Sequence, residues 1–270
     1  MTYAYWLVGL SVLVATLERL RPARKQPVLR RRLWSDAIYL LFNGHLLGLI
    51  LYGIAHPFIV PILDAMLIQL GWKEVLYFDA ASVFGWGVLW QSIVALVVVD
   101  FLQWLVHNAF HRSARLWRIH QIHHSVEDGE MDWIVSFRFS WLEPVLYKSA
   151  AYLPIMWFGF VPEALFVHAV VGTLSGHLNH ANLNWDYGPF RYLLNNPKMH
   201  MYHHAHDAPS TGQNFGIVFS AWDYLFGTAH LPKTPCSKIG FPGMETLPDH
   251  FFGQLIWPLF GPEPRSRETG

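Results

Sequence analysis

The chain is short of charge. Only 14% of its 270 residues are Asp, Glu, Lys or Arg, against about 25% in an ordinary soluble domain. What charge there is cancels, with 19 basic residues against 19 acidic ones. A nucleic-acid binder needs a net basic face, so that class is excluded. Cysteine is nearly absent. A lone Cys236 excludes a disulfide framework, a thiolate zinc finger and a Cys-ligated iron–sulfur cluster. No internal repeat, low-complexity tract or appended soluble domain is visible. Disorder is excluded as well, because 13 Trp, 11 Tyr and 19 Phe are far more than a solvated chain carries. Two abundances stand against these shortages: 53% hydrophobic residues and 16 histidines.

The charges are missing in blocks. Met1 to Leu17 has none, and no Lys or Arg precedes its apolar run. That makes a poor secretory signal and reads as a first, short membrane helix. Ala37 to Leu63 is uncharged but holds Pro57 and Pro61, so it spans once and then kinks or turns. Ala80 to Val99 is uncharged over 20 residues, enough to cross the hydrocarbon, and continues as an apolar helix to His107. Ser149 to Pro162 and Ala164 to Trp185 form a pair, with Phe158 to Pro162 as the turn. The expected fold is all-α, a multi-pass transmembrane helical bundle of about four to five spans in one integral-membrane domain, 1–270. The spans fall near 2–18, 36–63, 84–106, 143–159 and 162–178, and a histidine-rich helical cap covers 107–206.

Orientation follows from the basic residues. Seven lie between Arg19 and Arg32, which marks that loop as cytoplasmic by the positive-inside rule. Asp64, Glu74 and Asp79 against one Lys73 suit the opposite side. Threading the spans from there puts every dense histidine cluster on the cytoplasmic side.

Twelve of the 16 histidines lie between His107 and His206, and they are patterned. His107 and His111 form H-x-x-x-H. His120, His123 and His124 form H-x-x-H-H, as do His200, His203 and His204. His177 and His180 form H-x-x-H. On a helix, residues three or four apart share a face, so each box aims two imidazoles at one point. In H-x-x-H-H the ring at i+4 lies beside the ring at i, about 100° round from its immediate neighbour. Imidazole ligation suits zinc, copper, iron or nickel. One zinc takes about four ligands, so ten histidines suggest two ions with four to five nitrogens each. A zincin needs Glu directly after its first His, whereas Asn108 and Gln121 stand there. The Glu-x-x-His of soluble carboxylate-bridged di-iron bundles is absent. A bis-His haem leaves the adjacent pairs unexplained.

The set HNAFH (107–111), HQIHHS (120–125), HLNHAN (177–182) and HMYHH (200–204) resembles the fatty acid hydroxylase/sterol desaturase superfamily of membrane histidine-box oxygenases. NFGIVFSAWDYLFGT (214–228) and LERLRPA (17–23) resemble that family's C-terminal and N-terminal stretches. The resemblance implies a multi-pass membrane enzyme whose cytoplasmic histidines hold two non-haem iron ions. It further implies use of dioxygen and two electrons to hydroxylate or desaturate a lipid of fatty acyl, sterol or alkyl-glycerol type. Carried over residue by residue, the metal ligands are His107, His111, His120, His123, His124, His177, His180, His200, His203 and His204. No His-Pro-Gly-Gly haem signature or dinucleotide-binding glycine pattern is present. Electrons are therefore expected from a separate donor, a cytochrome b5-, ferredoxin- or reductase-like protein.

Other polar residues receive lesser roles. Asp100 lies two turns before His107 on the same helix face and is expected to hold a ligand imidazole by its other nitrogen. Asp223 is expected to cap a turn, and Asn214 to bond either a ligand ring or backbone. His168 reads as a packed, hydrogen-bonded ring, and His206 as peripheral to the last box. His45, His56, His230 and His250 lie outside every box. Two other classes compete with the oxygenase. A metal transporter would place its ligands near the bilayer midplane, and a zinc-dependent membrane hydrolase would want a general-base Glu beside them.

Overall fold

A 25-residue helix, Val88–Arg112, organises the molecule and carries its first histidine pair in its last turns. The computed structural model describes residues 3–54, 57–58, 60–72, 85–126, 130–206, 208, 212–234, 236 and 238–262. His56, Glu74, Asp79 and the start of the third uncharged block lie outside these residues. The described elements are helical, with two isolated β-bridges and no strands. In chain order the main helices are α1 (Tyr3–Leu20), α2 (Leu33–Ile54), α3 (Val60–Gln69) and α4 (Val88–Arg112). Then follow α5 (Ala114–His124), α6 (Leu142–Trp157), α7 (Pro162–His180), α8 (Pro197–His203), α9 (Ala221–Phe226) and α10 (Phe251–Phe260).

Three of these helices, α1, α2 and α4, are long and apolar enough to cross a membrane. The chain is a helical integral-membrane protein by that composition. Its apolar side chains turn outward along these helices, as at Val12 (62% exposed), Leu49 (68%) and Leu89 (70%). In water that exposure would be costly; in lipid it is solvation. The second uncharged block does not form one helix to residue 63. α2 stops at Ile54, and a separate α3 begins at Val60. Pro57 lies in the gap, and proline cannot continue an α-helical hydrogen-bond ladder. α2 also contains a π-helical turn at Phe42–Leu46, where Asn43 donates to the carbonyls of Phe137 and Phe139.

α6 and α7 form a hairpin around Gly159, whose φ of 69° a side chain would strain. Pro162 then opens α7, a position where its missing N–H costs nothing. α4 packs against α6 and α7 through Ala95, Val99, Ala151, Ile155 and Ala164, whose three alanines let helices approach closely in lipid. α1 lies on α7, with Leu7, Leu10 and Val14 as its buried stripe.

Polarity concentrates at one end of this bundle. α4 ends at Arg112, and Ser113 turns the chain and caps α5 by accepting Leu116 N–H. Asn196 caps α8, which Pro197 opens. The basic loop after α1 is pinned to this same end. Ala23 N–H donates to Asn182 O, and Arg24 and Asn182 exchange two further bonds. Asn182 lies two residues beyond His180. Arg30 reaches inward to Asp132 and Asp36, and Arg138 meets the other oxygen of Asp36 at 2.8 Å. All four side chains are buried.

Candidate metal centre

Nine of the ten expected histidines converge, in two groups. His107, His111, His120, His124 and His203 form one, and His123, His180, His200 and His204 the other. Within each group the donor nitrogens all lie within 4.8 Å of one another. Every one of these rings is buried.

The helical spacing divides each H-x-x-H-H box between the groups. On α5, His120 and His124 share a face and enter the five-imidazole group, while His123 turns into the other. Across α8 and its C-cap the split is reversed. His200 and His204 enter the four-imidazole group, and His203 crosses to the first. Two short helices are thereby stitched into both groups. α4 contributes only to the first group, through His107 and His111, and α7 only to the second, through His180.

Hydrogen bonds define which nitrogen faces inward. His107 Nδ1 donates to Phe215 O at 2.7 Å, and His203 Nδ1 to Gln213 O at 2.7 Å. His123 Nδ1 donates to Arg138 O at 2.9 Å, and His180 Nδ1 to Gly176 O at 2.7 Å. His120 Nδ1 donates to Glu143 Oε2 at 2.9 Å. A neutral imidazole has one N–H, so Nε2 of each ring carries a bare lone pair. His123 and His180 aim these lone pairs at each other across 3.1 Å, and His107 and His120 do so across 3.2 Å. Such contacts repel unless a cation lies between the nitrogens. His124 Nε2 and His203 Nε2 are also buried without a protein hydrogen-bond partner. The donor set therefore fits metal ions.

Titration agrees with that reading. Burial, followed by the neighbouring His120, pushes His123 down to about 4. Burial likewise holds His124, His200, His203 and His204 well below the usual imidazole range, with other imidazoles as the next cause. The rings are neutral at pH 7, the form that binds metal.

His177 does not join either group. Its Nε2 contacts Ser11 Oγ at 3.1 Å and its Nδ1 contacts Ser136 Oγ at 2.8 Å, so hydroxyls occupy both nitrogens. Three residues before His180 is the next position on the helix face, but there α7 faces α1 rather than the cluster. Asp100 also departs from expectation. Its carboxylate meets no histidine and instead accepts Val218 N–H, Phe219 N–H and the Trp222 indole N–H. Asp223 accepts from Phe215 N–H, Gly216 N–H, Trp104 and Thr228, so it holds the preceding segment rather than capping its own helix. Asn214 satisfies backbone, bonding Met199 O and both polar groups of His230. His168 is buried beside the Tyr152 hydroxyl. His206 is half-buried, and its backbone N–H donates to Lys238 O.

Glu143, in contact with His120 Nδ1, is the residue beside the histidine cluster that the sequence did not single out. It is a buried acid at the start of an apolar helix, the same signal that drew attention to Asp100. Aromatic rings close the surroundings. Phe110 stacks on His120 at 5.1 Å, Trp117 lies 5.0 Å from His111, and Phe215 lies 5.2 Å from His111.

Comparison with known proteins gives a consistent picture. A family model described as fatty acid hydroxylase matches residues 92–228. The ornithine lipid hydroxylase OlsE of Rhizobium tropici is 30% identical over 177 residues, covering 64% of this chain and 52% of that protein. The alkylglycerol monooxygenase of Caenorhabditis elegans is 29% identical over 145 residues, 53% of this chain and 28% of that protein. Its Homo sapiens counterpart is 28% identical over 150 residues, 53% of this chain and 31% of that protein. The chain thus spans about half the length of the first of these relatives and under a third of the others. No solved structure matches.

Proposed function

The chain belongs to the fatty acid hydroxylase family, and on that premise we propose that it is a membrane di-iron monooxygenase hydroxylating a C–H bond of a lipid. The observation that carries this is the pair of buried imidazole groups with opposed lone pairs. The proposed ligands are the nine clustered histidines, without His177. Bound iron would supply the redox chemistry, in which dioxygen, two external electrons and two protons turn C–H into C–OH and release the second oxygen atom as water.

The protein's own residues do the rest. Carbonyls of Gln213, Phe215, Arg138 and Gly176 take the Nδ1 protons and fix each ring's tautomer and direction. Phe110, Trp117 and Phe215 exclude water from the five-imidazole group. A lipid chain enters from the bilayer, along the aromatic-rich stretch 133–157. The substrate class is a lipid, supported by the relatives' names, which specify an ornithine lipid and an alkylglycerol. The histidine end is assigned to the cytoplasm, supported by the seven basic residues whose loop is pinned at Asn182. Electrons come from a separate donor protein on that side.

Glu143 does not revive a zinc hydrolase. Both its oxygens are committed, to His120 Nδ1 and to Ser140 N–H, on the edge of the ring away from Nε2. A general base would have to face the metal-bound water.

The test is metal analysis of anaerobically purified protein, followed by turnover of a lipid panel under oxygen-18 gas. The expected product carries one labelled oxygen and appears only with iron. Product oxygen drawn from water, or no iron-restored activity, overturns the proposal.

A further inference from the structure

Asp100 and Asp223 are buried carboxylates on two different helices, and their partners interlock. α4 carries Asp100 and Trp104 four residues apart, on one face. α9 carries Trp222 and Asp223. Trp222 donates its indole N–H to Asp100 at 3.0 Å, and Trp104 donates to Asp223 at 3.0 Å. Each helix thus gives one tryptophan to the other's carboxylate. Phe101 packs 4.9 Å from Trp222 and Phe226 packs 4.8 Å from Trp104, shielding the crossing.

Apart from the Thr228 hydroxyl, which donates to Asp223 at 2.6 Å, the other donors to both carboxylates come from one backbone segment. Asp223 takes Phe215 N–H at 2.9 Å and Gly216 N–H at 2.8 Å. Asp100 takes Val218 N–H at 2.8 Å and Phe219 N–H at 3.0 Å. With its N–H groups held on that side, the segment directs carbonyls the other way. Phe215 O receives His107, Gln213 O receives His203, and Ile217 O receives the Asn179 amide next to His180. Gly216 fits this sandwich because a Cβ there would collide with Phe219 O and crowd Asp223.

We propose that the two crossed Trp–Asp bonds form a latch that sets the ring directions of His107 and His203. Asp100 and Asp223 are then positioning residues for the five-imidazole group alone. The four-imidazole group takes its carbonyls from Arg138 and Gly176, outside the latch. This rests on the metal-binding reading above.

The test is titration of metal-free, full-chain protein in detergent with Co(II), whose visible absorption reports coordination geometry. Wild type takes two equivalents. Asp223→Asn is expected to weaken one of them about 10- to 100-fold and shift its absorption, as loss of a ligand's outer support does elsewhere. The other equivalent keeps its wild-type affinity and spectrum. Trp104→Phe removes one crossed bond and keeps an aromatic ring, though a smaller one, in the same buried place, and should weaken the same equivalent by about 3- to 10-fold. Asp100→Asn and Trp222→Phe should reproduce the pair from the other side. Wild-type binding of both equivalents in Asp223→Asn and Trp104→Phe overturns the latch. So does equal weakening of both equivalents in Trp104→Phe, which would make the carboxylates general scaffolding. A wild-type chain that takes fewer than two equivalents overturns the metal reading itself, and the latch with it.

Discussion

The two imidazole groups use the same ligand chemistry but stand on different foundations. The five-imidazole group is braced by a membrane helix and a strap. α4 supplies His107 and His111, and segment 213–219 supplies the carbonyls that orient His107 and His203. It also has the one carboxyl brace among the described ligand contacts, Glu143 on His120. The four-imidazole group leans on the ion network instead. His123 donates to the carbonyl of Arg138, whose guanidinium is held by Asp36 at 2.8 Å, Ser125 at 3.0 Å and Gln254 at 3.1 Å. Asp36 is shared with Arg30, which comes from the basic loop. Neutral carbonyls can orient a ring, whereas a carboxylate on Nδ1 also raises the basicity of Nε2. The two groups are therefore expected to differ in affinity and redox behaviour even with iron in both.

The largest effects should come from ligand removal. His203→Ala strips the first group and His123→Ala the second. Each is expected to lower metal content and cut turnover by roughly 100-fold or more, while the protein still inserts. Metal analysis and activity check this, and full activity in either variant removes that histidine from the site. Asp36→Ala comes next, because it leaves two buried guanidinium groups without their shared partner. Breaking a buried pair costs about 3–5 kcal/mol, read as a lowered unfolding temperature in detergent. Little change would mean the network does not support the four-imidazole side.

Glu143→Gln keeps an acceptor for His120 and removes the ionisable carboxyl. Metal binding is expected to weaken about tenfold at one equivalent, measured by chelator competition. Equal weakening at both would erase the contrast between the groups. Acid should act on the metal-free protein. Folded His123 titrates at about 4 against 6.5 when unfolded. Between those values the unfolded chain binds more protons, so stability falls as pH drops from about 6.5 towards 4. Thermal unfolding at stepped pH checks the sign, and a metal-free protein stabilised by acid would contradict it. His177→Ala should do least. It removes contacts to two hydroxyls, about 1–2 kcal/mol of stability, and leaves two metal equivalents bound. Loss of one would restore His177 as a ligand.

Much of this was legible in the residues. The uncharged blocks mark α1, α2 and α4, and the boxes name the nine clustered histidines. Spacing even foreshadows the split of each H-x-x-H-H, since i and i+4 share a face and i+3 turns away by about 60°. Asp100 was recognisable as an acid in an unusual place, but not for its actual partners. Its bonds go to backbone N–H groups over a hundred residues away, and backbone N–H groups look alike in every residue.

Composition and periodicity thus marked the membrane helices and ten histidines at metal-ligand spacing, nine of which cluster, because these are local properties of one helix or one run. Only the tertiary structure decided that α4 and α9 cross at two tryptophans, that Glu143 backs His120, and that His177 faces two serines. Each of those depends on which helix lies opposite. For a buried ring with two nitrogens, the partner across the interface chooses between ligand and hydrogen-bonded core.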